Sequence, residues 1–422
     1  MSAHRIDDYA RPRLPLPVKA LNAAAAPLAR RLFPLGEAGL LAAARKQTCL
    51  EDFGDDGFRE PLRVLLDALE READLTALGR FLTRQLLLQL LGTRLRAQDL
   101  VARHPEILAE PIEAPIVIMG LPRTGTTHLH NLISQDPDLA SLAYWESLDP
   151  VPFDADLPEP GAPDPRIARC AQALRLVHYV MPLFPLMHEM TPEARHEEIQ
   201  LLAVEFSTML FEASYQVPSY RDWYAASDQT PAYAMLKRLL QILQWRSGRA
   251  RRWVLKSPQH LWSLDALDAV YPDARIVQTH RDPVKVAASL ASLVGLLRGM
   301  GSDDVDPAEI GADWSRRLAE GLRRAMAVRE APGFDASRVF DVHFRDFYTD
   351  PLGVVHRIYA HFGMMLGDAA ERNMRRFIER HPQNEHGRHE YTLQGAGLEL
   401  ESERGRFEAY QKLFDIPSEI AV

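Results

Sequence analysis

Apolar residues return at helical spacing from about residue 20 to 110, most densely in PLRVLLDALEREADLTALGRFLTRQLLLQLLG, where leucines recur every three or four positions between charged ones. Such a stripe predicts amphipathic helices that each bury one face. Leu86 to Leu91 is apolar on more than one side, which predicts a segment packed between other helices, with a membrane-surface role as the alternative. After Pro111 the pattern changes to short apolar runs alternating with helix-length segments, the texture of βα units and a parallel sheet. Four runs read as strands: PIVIMG (115–120), RWVLK (252–256), ARIVQTH (274–280) and RVFDVHF (338–344). Their unbroken apolar character suits strands covered on both faces. Helices are expected at 126–135, 261–271, 283–297 and 351–363.

Between the first two strands lies a long insertion, about 149–250, which opens with DPVPFDADLPEPGAPDP (149–165). Proline at that density excludes a regular element, so an extended loop is expected there. Two helix starts follow, Thr191 with Pro192 and Thr230 with Pro231, each a capping hydroxyl before a proline at the first helical position. An insertion beside the first βα turn would stand over the ligand-binding mouth of a doubly wound sheet, and is read as substrate pocket and lid, with an oligomer contact as the other use. The predicted organisation is a helical region at 1–110 and an α/β domain at 111–422: a parallel sheet of four to five strands with helices on both faces.

Composition narrows the function classes. A net charge of −9 over 422 residues argues against a broad nucleic-acid surface, which needs a basic face. Cys49 and Cys170 are the only cysteines and belong to no CxxC or Cys/His cluster, so neither a disulfide framework nor a thiolate metal site is expected. The start is charged and lacks an apolar core, and no run of about 18 apolar residues occurs, so neither a secretion signal nor a membrane span is read. These features point to a reducing, cytoplasmic setting.

The strongest chemical signal is IVIMGLPRTGTTHLHNLISQDP: an apolar strand, a tight glycine-containing turn and a helix. Gly120 and Gly125 have the G-x-x-x-x-G spacing of a phosphate loop, whose backbone N–H groups and helix N-terminus cradle an anion, and Thr126 and Thr127 add hydroxyls. A Walker loop would have Lys after Gly125; here Thr126 stands there and the cation has moved inside the loop as Arg123. That substitution suits a compact 5′-phosphosulfate better than a triphosphate with Mg²⁺. The string Arg123-Thr124-Gly125-Thr126-Thr127 resembles the 5′-phosphosulfate loop of the sulfotransferases that use 3′-phosphoadenosine 5′-phosphosulfate (PAPS), in the style of bacterial and tyrosylprotein-type members. Arg281 at a strand end and Ser289 eight residues later match the pair with which that family holds the 3′-phosphate. Lys256-Ser257-Pro258 is similar to the Lys-x-Pro segment whose lysine neutralises the transferring group, and Arg388 fits loosely the late Arg/Gly-rich segment that closes over the 3′-phosphate.

The resemblance implies a P-loop-like fold and transfer of a sulfuryl group from PAPS to a hydroxyl, without a metal. The implied cofactor-binding set is Arg123, Thr124, Gly125, Thr126, Thr127, Arg281, Ser289 and Arg388, with Arg123 and Lys256 also stabilising the transfer. A hydroxyl needs a base. Glu146 stands near the family's glutamate position, two residues off in spacing, and His188, with Glu189 and His196, supplies the alternative. His196-Glu197-Glu198 is not a zinc motif, since no second histidine follows at the required spacing. His128 and His130 are two apart and so face different sides of their helix, with His128 expected to approach the cofactor and His130 to be packed. The apolar insertion (YVMPLFPLMHEM, STMLFEASYQVPSYRDWY) favours a hydrophobic alcohol, lipid or phenol as the small-molecule acceptor. The competing readings are a Mg²⁺-dependent P-loop kinase and a non-catalytic adenine-nucleotide-binding protein.

Overall fold

The computed structural model describes residues 14–153, 162–182, 190–248, 251–381 and 392–420. Five strands form one sheet: β1 (Ile116–Gly120), β2 (Leu139–Ala140), β3 (Arg252–Lys256), β4 (Arg275–His280) and β5 (Val339–His343), in the spatial order β2-β3-β1-β4-β5. Every neighbouring pair is parallel, and the register sets Ile118 beside both Lys256 and Val277, and Gly120 beside Thr279. The carboxyl ends of β1, β3 and β4 therefore share one edge. The chain leaves β1 towards β2 and β3 on one side and reaches β4 and β5 on the other, which makes the β1/β4 junction the switch point where such sheets bind ligands.

Side-chain alternation explains why the sheet is covered twice. In β1, Ile116 and Ile118 point to one face and Val117 and Met119 to the other, and all four are fully buried. Each contributes about 1.5–3 kcal/mol of burial. The first pair joins a cluster with Leu129, Val277, Val355 and Met374; the second joins a larger core that runs through the N-terminal helices and the insertion. That larger core takes in α2 (Glu37–Thr48), α3 (Arg59–Arg71) and α4 (Ala77–Arg103), which follow the surface helix α1 (Leu16–Ala25). Within α4, Leu87, Leu88, Leu90 and Leu91 are buried, so the leucine-rich run is helix core.

Three expectations need correction. No helix starts at Thr191: the backbone of 192–196 bonds instead to the 142–145 segment, Tyr144 N–H donating to Ala194 O and His196 N–H to Leu142 O. That competing pairing outweighs the local capping signal. The helix at Thr230–Ser247 begins with Thr230 already helical, its N–H donating to Asp228 Oδ1, so the hydroxyl is no cap. Finally, β5 is an edge strand, with Val339 and Val342 buried and Phe340, Asp341 and His343 only partly so. The proline-rich loop gives way to a helix at Pro165, started by Asp164, whose Oδ1 accepts from Arg166 N–H; residues 154–161 of it lie outside the described residues.

Candidate active site

The turn after β1 is built from backbone geometry that its sequence permits. Gly120 has φ +152°, and a Cβ there would stand 2.1 Å from Thr279 Oγ1 on the neighbouring strand, so only glycine lets β1 approach β4 this closely. Arg123 adopts φ +66°, an uncommon conformation for a side-chain-bearing residue, and Gly125 follows at φ +87° to start α5 (Thr126–Ile133). The helix N-terminus thus points its free N–H groups into the loop. Thr124 is buried, its hydroxyl bonded to Leu121 O and to Thr279 Oγ1, both at 2.6 Å. It stitches the loop to β4, which leaves its backbone N–H as its means of meeting an anion.

Two further cations arrive from the adjacent strands. Lys256, the last residue of β3, is buried, and its Nζ stands 3.3 Å from Thr127 Oγ1 while pairing with the Glu197 carboxylate. Its backbone N–H donates to Glu198 Oε2 at 2.9 Å. Glu198 is itself fully buried against His260 Nε2, and His260 Nδ1 meets the Tyr233 hydroxyl at 2.7 Å. Arg281, just past β4, donates to Arg123 O at 2.9 Å, lies 3.9 Å over the Phe344 ring and grips Glu419 through two 2.8 Å bonds. The next helix starts as expected, with Pro283 in its first turn and Asp282 Oδ1 accepting from Val284 N–H. Two turns in, Ser289 is buried and its Oγ has no hydrogen-bond partner among the described residues.

The structure therefore brings Arg123, Thr124, Gly125, Thr126, Thr127, Lys256 and Arg281 to one edge of the sheet, with Ser289 on the helix behind. Glu146 stands on α6 (Tyr144–Leu148), one layer back, where its Oε2 accepts from Ala143 N–H at 2.9 Å. Burial pushes its carboxyl above the ordinary range, against the pull of that N–H and of Arg166 and Arg195. His196 packs on the same short helix, 3.2 Å from Ser147 Oγ, and its chain continues directly into Glu197 and Glu198. His188, Glu189, Gly387 and Arg388 lie outside the described residues. His128 rests against Phe347 and Phe377, and His130 is fully buried in the core.

Glu197 and Glu198, which the sequence pattern does not single out, stand beside Lys256 at this edge of the sheet. Their partners, Lys256 and His260, lie some sixty residues away, and no local pattern signals such a meeting. Of the insertion's aromatic residues, Phe206, Phe211, Tyr220 and Tyr224 are buried core, and residues 183–189 lie outside the described residues. Among the described residues no group of three or more His, Cys, Asp or Glu could hold a metal ion, and no helix is long and apolar enough to cross a membrane.

Comparison with known proteins agrees with this geometry. The chain is 36% identical to sulfotransferase STF1 from Mycobacterium tuberculosis H37Rv, whose crystal structure superposes with a TM-score of 0.78 over 89% of this chain and 98% of that one. Sulfotransferase STF9 from Mycobacterium avium is 28% identical, with a TM-score of 0.81 over 91% of this chain and 98% of the other. The omega-hydroxy-beta-dihydromenaquinone-9 sulfotransferase Stf3 of Mycobacterium bovis is 26% identical over 280 residues, covering 62% of this chain and 64% of that relative's length. The sequence model of the Sulfotransferase family matches residues 115–368, from the strand that carries the phosphate loop to beyond the edge strand, and the protein belongs to that family.

Proposed function

We propose that the chain transfers a sulfuryl group from PAPS to the hydroxyl of a hydrophobic acceptor. The observation that carries the reading is the convergence of Arg123, Lys256 and Arg281, from three adjacent strand ends, around one helix N-terminus. The residues fit the donor. Ser289 offers a buried hydroxyl with no partner among the described residues, and the glycine-spaced loop offers a cradle for a compact anion. Arg281 and Ser289 would hold the 3′-phosphate, and the loop and Arg123 the 5′-phosphosulfate. Family membership and the omega-hydroxylated dihydromenaquinone in the Stf3 relative's name support a lipid-like alcohol as acceptor. A Mg²⁺-dependent kinase would want an acid at a strand end near the loop; β3 and β4 lead instead into Lys256 and Arg281.

In the transfer the acceptor oxygen bonds to sulfur as the bond from sulfur to the bridging phosphate oxygen breaks, and adenosine 3′,5′-bisphosphate departs. Arg123 and Lys256 meet the negative charge that grows on the bridging oxygen. The acceptor's proton goes to a carboxylate. Glu197, part-exposed and held by Lys256 beside Thr127, is the first assignment, because its ammonium partner already touches the loop. Glu146 is the second, favoured by its spacing and by the burial that raises its basicity.

Thermal-shift measurements with adenosine 3′,5′-bisphosphate and with ATP·Mg²⁺ test the donor class, and stabilisation by the former alone is expected. Labelled PAPS and a panel of alcohols, with EDTA present, then test transfer. Glu197→Gln should lower kcat by about 10²–10⁴ with donor affinity little changed. A collapse with Glu146→Gln or His188→Ala instead would move the base there. Loss of all turnover on adding EDTA, or stabilisation by ATP·Mg²⁺ alone, would overturn the mechanism.

A further inference from the structure

The inference below rests on the reading of the acceptor as a hydrophobic, lipid-like alcohol. Helix α1 (LPVKALNAAA) is apolar, yet none of its residues is buried. Leu16 and Leu21 are 81% and 63% exposed, and Leu28 and Leu32, just beyond, are 51% and 53% exposed. The helix is not loose: Asn22 Oδ1 accepts from Leu78 N–H at 2.8 Å, fixing α1 over the start of α4. Leu14 and Val18 pack against Val180 and Met181, at the end of α7 (Pro165–Val180). There Leu176 and Tyr179 are in turn 54% and 56% exposed. Leu16, Leu21, Leu176 and Tyr179 are thus large apolar side chains left exposed on two helices that meet through Leu14, Val18, Val180 and Met181, and a monomeric surface rarely carries such a patch without a use.

Charge identifies what covers it. Residues 14–36 and 165–181 contain no Asp or Glu, in a chain whose net charge is −9. The same segments present Lys19, Arg31 and Arg175 as exposed cations, beside Arg30, which pairs with Glu70. A second copy meeting this face symmetrically would set those cations against one another. We propose that the α1/α7 face docks on an anionic lipid bilayer, its leucines entering the headgroup boundary and its cations facing the lipid phosphates. Docking would let a membrane-dissolved acceptor enter without crossing water. The first half of α7, through Arg166, Cys170 and Ala173, also walls a cavity of about 670 Å³ that Trp145 and Leu148 of the Glu146 helix line from another side.

Sedimentation of the full chain with vesicles of phosphatidylglycerol and phosphatidylcholine, against vesicles of phosphatidylcholine alone, tests the proposal. The partition coefficient should be at least about tenfold higher on the anionic vesicles and fall as salt is raised. The double variants Leu16→Glu/Leu21→Glu and Leu176→Glu/Tyr179→Glu should each reduce it by about tenfold or more, while sulfuryl transfer to a water-soluble alcohol stays unchanged. Equal binding to both vesicle types, or binding insensitive to both double variants, would overturn docking. So would a wild-type dimer in sedimentation velocity that the same substitutions split, because the face would then belong to a second copy. Failure of transfer to the soluble alcohol by the wild type would count against the activity and leave the vesicle result standing.

Discussion

Arg281 is gripped on three sides, by Glu419, by the carbonyl of Arg123 and by the face of Phe344. If the 3′-phosphate binds there as proposed, it would exchange one charge-assisted pair for another, and its net gain would be smaller than the bare contact suggests. Arg281→Ala should therefore weaken adenosine 3′,5′-bisphosphate by about 1.5 kcal/mol in calorimetry and leave adenosine 5′-phosphate nearly unchanged. Equal loss for both would show that Arg281 does not read the 3′ group. Arg281, Lys256 and Arg123 were legible in the sequence because each sits at a fixed offset from a strand that the apolar pattern marks. Thr124 was legible only as a position. Its hydroxyl is bonded into the sheet through Thr279, a partner 155 residues away that no motif names.

At the scale of the element, the short helix α5 sets its own N-terminus at the end of the glycine-spaced loop and carries a buried histidine, His130. Burial, and then the nearby charge of Lys256, hold the His130 imidazole well below its ordinary pKa, so it is neutral in the fold. Unfolding returns it to about 6.5, and between the two values the unfolded chain binds the extra proton. Stability is therefore complete above about pH 6.5 and is lost as pH falls below it, at up to about 1.4 kcal/mol per pH unit for this group. His130→Asn should flatten the dependence of the urea midpoint on pH between 7 and 5. An unchanged slope would place the acid sensitivity elsewhere. Element boundaries in the sheet were legible to within a residue or two; the two-residue β2 was not, since so short a strand has no period to detect.

Across the whole molecule, a buried ionic cluster joins the insertion to the C-terminal half. Arg317 donates twice to the Glu212 carboxylate, at 3.1 and 2.6 Å, and Arg298 donates to the Glu212 carbonyl at 2.9 Å. Glu212→Leu leaves two buried guanidinium groups with less compensation and should cost about 3–5 kcal/mol in thermal unfolding. The combined Glu212→Leu/Arg317→Met variant should lose distinctly less, and equal losses would mean that packing, not the pair, sets the effect. The apolar runs determined the parallel sheet, and the loop string with the Arg281 and Ser289 spacing determined the family and the donor to look for. All of these are short-range signals, written within a strand, a turn and a helix. The tertiary structure alone decided that Glu197 faces Lys256, that Glu419 lies on Arg281, and that the aromatic insertion is core while the apolar α1 stays outside. Those outcomes depend on which distant segments compete for the same buried space, and local periodicity carries no term for that competition.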